Sequence, residues 1–173
     1  VVLDCAKNAQ TAMIEYAPQT VDFIRSYNPV PETQPGSIEM AAELINHSVK
    51  PLMLVGQGVE LAGARQELLA LCEKAQIPFG QTMLGLSAAP TGHPLNMGML
   101  GMHGNLAPNV MTNQCDLLIA VGMRFDDRVT GDLHTYAKQA KVIHFEIDPS
   151  EVGKIVKPTV AVLGNCKQTL AQV

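Results

Sequence analysis

The sequence has no tryptophan, and its aromatic residues amount to only 4% of 173 residues. So few aromatic side chains leave almost no surfaces on which nucleic-acid bases could stack. The charge balance gives the same indication, because 12 Lys and Arg face 16 Asp and Glu, for a net charge of -4. A mildly acidic chain lacks the basic footprint that binds nucleic acid or an anionic membrane surface. We therefore expect no nucleic-acid partner and no membrane partner.

Long apolar runs are also absent. No run approaches the roughly 20 residues that a transmembrane helix needs, and the first residues lack the basic and apolar regions of a signal peptide. The four cysteines are far apart and contain no C-x-x-C pair, and the five histidines are equally dispersed. This spacing favours reduced thiols over disulfides and gives no support to a zinc site. Together these absences predict a cytoplasmic protein.

The chain begins Val-Val-Leu-Asp without an initiator methionine, so we expect it to be a piece of a longer protein. Residues 1–5 are predicted to form a short leading strand. Residues 15–37 are rich in Pro and show little periodicity, which is typical of a linker. The predicted organisation is a leading strand and interdomain linker over 1–36 and a globular domain over 37–173, in which Ser37 is the N-cap of the first helix.

What the sequence does contain is a series of short apolar runs that alternate with helical patterns. Strands are predicted over residues 51–55, 77–79, 115–121, 141–147 and 160–163. Helices are predicted over 38–48, 60–75, 105–114 and 132–139 and at the end of the chain, and residues 82–104 are predicted to form a loop. The alternation predicts an α/β fold with a doubly wound, mostly parallel Rossmann-like sheet flanked by helices. Ligands bind beyond the carboxyl ends of the strands in such sheets.

Glycines follow the predicted strands at the edge where a ligand would bind. Gly56 and Gly58 follow the first buried strand and resemble the start of a dinucleotide-binding fingerprint. The fingerprint is incomplete, because Leu61 occupies the place of its third glycine. This pair by itself leaves two interpretations open, a structural turn and a turn that approaches a phosphate.

The segment after the third predicted strand has the most informative charge pattern. It reads Gly-Met-Arg-Phe-Asp-Asp-Arg and contains Arg124 and Arg128 together with Asp126 and Asp127. Guanidinium groups suit phosphate oxygens, so one interpretation is a phosphate site. The alternative is a loop organised by two Arg–Asp ion pairs.

The next strand supplies an observation that favours the phosphate interpretation. Glu146 ends that strand and lies 24 residues after Gly122. This is near the spacing at which an acidic residue contacts a ribose hydroxyl in dinucleotide-binding folds. The alternative for Glu146 is an ordinary solvated carboxylate at a strand end.

A glycine- and methionine-rich run covers residues 97–104. Its flexible backbone and polarisable side chains suit contact with a flat apolar ring system, and a loop whose methionines fill a gap in the core is the alternative. His103 is able to donate a hydrogen bond to a ligand, although a lone histidine is more often structural. No Ser-His-Asp set, reactive cysteine or carboxylate pair is visible, so the sequence predicts no catalytic residue.

Two of these runs together resemble a known family. They are Gly-Met-Leu-Gly-Met-His-Gly at 98–104 and Cys-Asp-Leu-Leu-Ile-Ala-Val-Gly-Met-Arg-Phe-Asp-Asp-Arg-Val-Thr-Gly at 115–131. They closely resemble the middle domain of the acetohydroxyacid synthase (acetolactate synthase) large subunits. The run His-Phe-Glu-Ile-Asp at 144–148 and the opening Val-Leu-Asp-Cys-Ala-Lys-Asn-Ala-Gln at 2–10 resemble two further segments of that family. The resemblance spans nearly the whole chain.

The resemblance implies the central, FAD-binding domain of a thiamine-diphosphate enzyme. That enzyme condenses pyruvate with pyruvate or 2-ketobutyrate, with decarboxylation, in branched-chain amino-acid biosynthesis, and its FAD is structural rather than redox-active. Thiamine diphosphate and Mg²⁺ would bind outside this chain, between flanking pyrimidine- and diphosphate-binding domains. The family's Gly-Asp-Gly motif does not occur here, so we expect the isolated chain to be inactive. The parent is expected to be a homo-oligomer with a regulatory subunit.

Carried over by position, the resemblance implies FAD contacts in several segments of the chain. These are Gly56, Gly58, Thr82, Met83, Leu100, Gly101, Met102, His103, Gly122, Met123, Arg124, Phe125, Asp126, Arg128, Val129, Glu146, Ile147, Asn165 and Cys166. Five positions depart from the family pattern. Gln57 and Ser87 replace glycines, Asn165 replaces an aspartate, and Ala6 and Asn8 replace a proline and an aspartate. The resemblance implies no catalytic residue and no metal ligand within this chain.

Three alternatives stay open at this point. The chain could be the central domain of another thiamine-diphosphate enzyme, of the glyoxylate carboligase or oxidase type. It could instead be a ligand-free structural spacer. An NAD-dependent dehydrogenase is the weakest alternative, because no catalytic His, Tyr or Lys constellation accompanies the glycines.

Overall fold

Six parallel strands form one sheet in the structure, a computed structural model that describes residues 2–18, 20, 24 and 27–173. The strands are β1 Pro51–Val55, β2 Phe79–Gln81, β3 Asn96–Met99, β4 Leu117–Val121, β5 Lys141–Glu146 and β6 Val160–Leu163. They are ordered β3-β2-β1-β4-β5-β6, and every neighbouring pair is parallel. This is the strand order of a doubly wound dinucleotide-binding sheet, so the predicted fold class is confirmed.

Helices cover both faces of the sheet. They are α1 Lys7–Gln10, α2 Ser37–His47, α3 Gln57–Leu61, α4 Arg65–Ala75, α5 Leu106–Thr112, α6 Asp127–Thr130 and α7 Cys166–Leu170, with a 3₁₀ turn at Met83–Gly85. Residues of α2, α4 and α7 pack with one face of β1, β4 and β5, and the other face packs with Leu100, Phe125 and partly buried residues of α5 and α6. Because both faces are covered, β4 is buried along its whole length. This explains why the central strands are continuous apolar runs.

The leading strand predicted at residues 1–5 is not present among the described residues. Val2–Cys5 form no strand, and the short helix α1 follows them. Val2 and Leu3 are almost fully exposed, because no described strand pairs with this segment and no apolar surface covers it. The first residue and parts of the predicted linker (19, 21–23 and 25–26) lie outside the described residues.

Three boundaries predicted for the first half of the chain differ from the structure. Ser37 is the first residue of α2 rather than its N-cap, and Gly36 precedes the helix in a left-handed conformation. The helix predicted over 60–75 is two helices, because Gly63 adopts a φ of 62° between α3 and α4. The second strand, β2, begins two residues later than predicted.

Two further differences lie in irregular segments. The predicted loop 82–104 contains β3, whose residues are only half-buried and therefore show no apolar run. The helix predicted over 132–139 is a series of turns. Ala137 has a φ of 45° there, a conformation that an α-helix does not contain. Its N–H donates a compensating hydrogen bond to the side-chain oxygen of Asn113, at 2.8 Å.

The carboxyl ends of all six strands lie at one edge of the sheet. The chain leaves β1 toward the face that carries α3 and α4, and it leaves β4 toward the opposite face, which carries α6. The point where strand order reverses is therefore between β1 and β4, the usual ligand site in this topology. Within the described ranges, no helix is both long and apolar enough to cross a membrane.

Candidate functional site

Two glycine turns meet at the point between β1 and β4. The Gly58 N–H donates to the Gly122 carbonyl at 2.9 Å, and the Gly56 N–H donates to the Val121 carbonyl at 2.9 Å. Gly122 has a φ of 57°, and a Cβ added to it would lie 2.7 Å from the Gly58 Cα. No side chain fits so close an approach of two backbones. The contact favours the structural interpretation of Gly56 and Gly58.

The charged segment that follows β4 alternates between buried and exposed side chains. Met123 and Phe125 are buried in the core, whereas the side chains of Arg124 and Arg128 are 69% and 71% exposed. Arg124 Nε lies 3.2 Å from Asp126 Oδ2, and Arg128 Nη1 lies 3.8 Å from an Asp127 carboxylate oxygen. Ion pairs this exposed are weak. Both guanidinium groups therefore keep donors available for an anion.

The backbone of this segment supplies further donors. In the described part of the chain, the N–H groups of Met123, Arg124 and Phe125 donate to no backbone carbonyl. The Asp126 carboxylate accepts from the Arg128 N–H at 3.0 Å and so caps α6. Successive free N–H groups beside guanidinium groups form a donor set that suits a pyrophosphate.

The methionine- and glycine-rich loop after β3 lies against the charged segment. The Met102 N–H donates to the Arg128 carbonyl at 2.8 Å. Gly101 has a φ of 97°, and its missing Cβ would lie 2.6 Å from that same carbonyl oxygen. The side chain of Asn109, in α5, accepts from the Gly101 N–H and donates to the Gly101 carbonyl, both at 2.9 Å. Asn109 is not among the predicted site residues, because a single helical asparagine gives no motif.

A buried glutamine organises the loop after β2. Gln81 donates to the Gly85 carbonyl at 2.9 Å and accepts from the Asn96 side chain at 2.9 Å. The Thr82 hydroxyl accepts from the Gly85 N–H at 3.1 Å. Met83 follows with its side chain largely exposed. Thr82 and Met83 are predicted site residues, whereas Gln81 is not, because a single glutamine at the end of a short strand gives no motif.

The end of β5 carries a carboxylate, and the end of β6 carries an amide and a thiol. Glu146 Oε1 accepts from the N–H groups of Ile147 and Asp148 at 2.8 and 3.2 Å. Asn165 accepts from the Lys167 N–H at 2.9 Å and thereby caps α7. Burial raises the pKa of Cys166 to about 12, so its thiol is an inert core group. Cys166 therefore has only its backbone to offer to a ligand.

Large apolar side chains are exposed beyond the same edge of the sheet. They are Leu61, Met83, Leu84, Leu86, Met102 and Ile147. A cleft of about 260 Å³ opens next to Met102, between α5 and α6. Exposed apolar groups at the ligand edge are typical of a binding surface. Together with the donors of the charged segment, they fit a ligand that combines a pyrophosphate with a flat ring system, as FAD does.

The structure therefore joins some of the predicted site residues directly and leaves others apart. The segments 100–102 and 122–129 and the turn at Gly56 and Gly58 contact one another through backbone hydrogen bonds. Thr82 and Met83 follow the neighbouring strand β2, whereas Asn165 and Cys166 follow β6, two strands beyond β4. The edge from β3 to β6 is about 24 Å long at the usual strand spacing. In the part of the chain that the structure describes, no group of three His, Cys, Asp or Glu could hold a metal ion.

Comparisons with known proteins place the chain among relatives with a common name. The acetolactate synthase large subunit of Corynebacterium glutamicum is 42% identical over 173 residues, which cover 99% of this chain and 28% of that protein. The acetolactate synthase isozyme 1 large subunit of Escherichia coli is 41% identical over 170 residues, which cover 98% of this chain and 30% of that protein. This chain spans less than a third of the length of these relatives.

The fold has a counterpart among solved structures. A Mycobacterium smegmatis protein described as a thiamin diphosphate-dependent enzyme has a TM-score of 0.69 and 22% sequence identity. The match covers 87% of this chain and 29% of that one. The family described as "Thiamine pyrophosphate enzyme, central domain" matches residues 38–173. These residues are most of the chain, which therefore belongs to the thiamine pyrophosphate enzyme family as a central domain.

Proposed function

We propose that this chain is the central domain of the catalytic subunit of an acetolactate synthase, which condenses two 2-ketoacids with loss of CO₂. The support is the identity of about 42% that extends over nearly the whole chain to proteins named acetolactate synthase large subunit. In this proposal thiamine diphosphate and Mg²⁺ bind to flanking domains of the parent protein. The central domain itself holds no catalytic residue.

We propose further that the carboxyl edge of the sheet binds FAD. The observation that carries this proposal is the contact between the loop 100–102 and the segment 122–129, which brings apolar side chains next to cationic ones. Arg124, Arg128 and the free N–H groups would hold the pyrophosphate, and Glu146 would contact a ribose hydroxyl. When bound, the flavin would stabilise this edge of the domain without a redox step.

The other residues assigned to the proposed FAD site differ in whether their side chains are exposed or buried. Side chains that are exposed or half-buried would contact the ligand directly, and buried residues would contribute through their backbones. Met83, Met102, His103 and Ile147 are exposed, and Thr82 and Asn165 are half-buried. The buried residues are Leu100, Gly101, Met123, Phe125 and Cys166.

A ligand-free spacer is the second candidate function, and one observation favours it. Gly56, Gly58 and Gly122 are already explained by contact with each other, so their presence does not require a phosphate. Titration of the chain with FAD, followed by flavin fluorescence, separates the two candidates. Saturable quenching supports the FAD site, and unchanged fluorescence up to millimolar protein supports the spacer.

The activity requires a test on the parent protein. We expect the full-length protein to form acetolactate from pyruvate when thiamine diphosphate, Mg²⁺ and FAD are supplied. The isolated 173-residue chain should form none under the same conditions. A full-length protein that binds thiamine diphosphate but forms another product would favour a glyoxylate carboligase or an oxidase instead.

The assembly and the location of the parent are part of the same proposal. Relatives named as large subunits support a smaller, regulatory partner, and we propose a homo-oligomer of the catalytic chain in the cytoplasm. Size-exclusion chromatography with light scattering on the full-length protein tests the oligomer. A monomer of full activity would contradict it.

A further inference from the structure

A buried histidine lies beneath the charged segment. It is not one of the site residues predicted from the sequence. His144, in β5, is 0% exposed. Its Nε2 lies 2.8 Å from the Met123 carbonyl oxygen. Since a carbonyl oxygen only accepts, the imidazole donates from Nε2 and carries its proton there. Its Nδ1 is buried and has no hydrogen-bond partner among the described residues.

An unpartnered buried nitrogen destabilises a fold, so this histidine is a costly way to fill the core. The neighbouring strand residues on the same face of β5 and β4, Val142 and Ala120, are apolar. An apolar side chain at 144 would avoid the orphaned nitrogen but would leave the Met123 carbonyl without its donor. The hydrogen bond to Met123 is therefore what the imidazole contributes at this position.

The imidazole contacts the residues on both sides of Arg124. Besides its bond to Met123, it packs against Phe125, with ring centroids 5.1 Å apart and an interplanar angle of 68°. Both neighbours are buried, whereas the Arg124 side chain is mostly exposed. Fixing the backbone before Arg124 and the ring after it fixes the direction of the Arg124 Cα–Cβ bond, from which the exposed guanidinium extends.

The same ring borders a second residue of the proposed cofactor site. His144 Nε2 lies 3.6 Å from Glu146 Oε2. The other carboxylate oxygen, Oε1, accepts from the N–H groups of Ile147 and Asp148. The imidazole therefore borders Glu146, but its Nε2 proton is donated to Met123, so it forms no hydrogen bond with the carboxylate.

We propose that His144 is a positioning residue that fixes the backbone around Arg124 for the pyrophosphate of a flavin dinucleotide. This inference rests on the proposed FAD site. It makes no use of His144 as a ligand contact, because the imidazole is covered by Met123 and Phe125. Its function is to preorganise a surface that would otherwise have to order when the cofactor binds.

Two amide variants test the proposal. H144Q places a side-chain nitrogen near the position of Nε2, where it is able to donate to the Met123 carbonyl. H144N is one methylene shorter and does not reach that oxygen. V142A is the matched control, because Val142 is buried on the same face of the same strand and has no bond to the charged segment.

Two readouts are measured on the 173-residue chain. The first is the rate of tryptic cleavage after Arg124, at a temperature where circular dichroism shows an intact fold, with cleavage after Lys74 as the reference for global opening. We expect H144N to accelerate cleavage after Arg124 relative to Lys74, and H144Q and V142A to leave this ratio unchanged. An equal ratio in H144N and H144Q would overturn the positioning role.

The second readout is FAD affinity in a double-mutant cycle with R124A. In the wild-type background, we expect H144N to weaken FAD binding roughly tenfold, as for one lost hydrogen bond. In the R124A background, we expect H144N to change FAD affinity by less than twofold, which is within roughly 0.4 kcal/mol. Equal losses in both backgrounds would show that His144 does not act through Arg124. Absence of FAD binding by the wild-type chain would contradict the proposed function, and the cleavage ratio would still decide whether His144 holds the segment.

Discussion

Asp116 joins the end of α2 to the sheet through a single carboxylate. It accepts hydrogen bonds from the N–H groups of Val49 and Lys50, at 2.7 and 3.0 Å, and from the Ser48 hydroxyl. Partial burial is the largest single influence on its pKa and raises it, but these hydrogen bonds together outweigh burial and hold the pKa below its ordinary value. A carboxylate that is more acidic in the folded state stabilises the fold when it is ionised.

We expect D116N to lower the free energy of unfolding at pH 7 by about 1–3 kcal/mol, the cost of weakening hydrogen bonds to a charged group. The contribution of Asp116 is complete above the ordinary aspartate pKa of about 3.9. It is lost as the pH falls through the lower pKa of the folded state, so the difference between wild type and variant should shrink in acid. Urea unfolding from pH 7 down to pH 3 measures it, and D4N, at an exposed position, is the control. A difference that does not change with pH would contradict this account.

The proposed FAD site depends most directly on the side chain of Arg124. Its guanidinium is mostly exposed and has one weak partner, Asp126. We expect R124A to weaken FAD binding by about 1.5–3 kcal/mol, as for a charge-assisted hydrogen bond, with no loss of stability. Isothermal titration calorimetry with FAD measures the change. K74A removes an exposed charge in the last turn of α4, and this variant should bind FAD as the wild type does. Equal losses of affinity in both variants would indicate a general charge effect.

At the scale of helices and strands, the most restrictive feature is the backbone contact between the turns after β1 and β4. We expect G122A to destabilise the protein by about 3 kcal/mol or more, because alanine is strained at a φ of 57° and its Cβ would overlap Gly58. G92A is the matched control, since a Cβ at Gly92 meets nothing within 4 Å and its φ is ordinary. Thermal and urea unfolding compare the two. A G122A protein as stable as G92A would show that the turns are able to separate without cost.

The elements differ in how far the sequence could predict them, and burial explains the difference. The strands β1 and β4 are covered on both faces, so each is a continuous apolar run. The edge strand β3 is half-buried and has no such run, so it was missed. The turns at 132–139 depend on the bond from Asn113 to Ala137, across 24 residues, which no local pattern reveals.

The predicted residues of the candidate site are those with a local signal in the sequence. The charged segment and the methionine-rich loop were predicted because their composition is local and unusual. Gln81, Asn109 and His144, which hold these segments in place, each act through hydrogen bonds to another element. Their partners are brought near only by the tertiary fold, so a single sequence gives no signal for them.

At the scale of the whole molecule, the sheet and its helices should carry the stability without the first residues of the chain. Every described residue in 2–18 is exposed, and α1 contains no buried residue. We expect removal of residues 1–18 to change the free energy of unfolding by less than about 0.5 kcal/mol, as for substitutions at solvent-exposed positions. Removal of residues 166–173 should by contrast prevent stable folding, because Cys166 and Leu170 lie in the core. Thermal unfolding of the two truncated chains tests this, and a marked loss of stability in the first would mean that the leading segment packs against the domain.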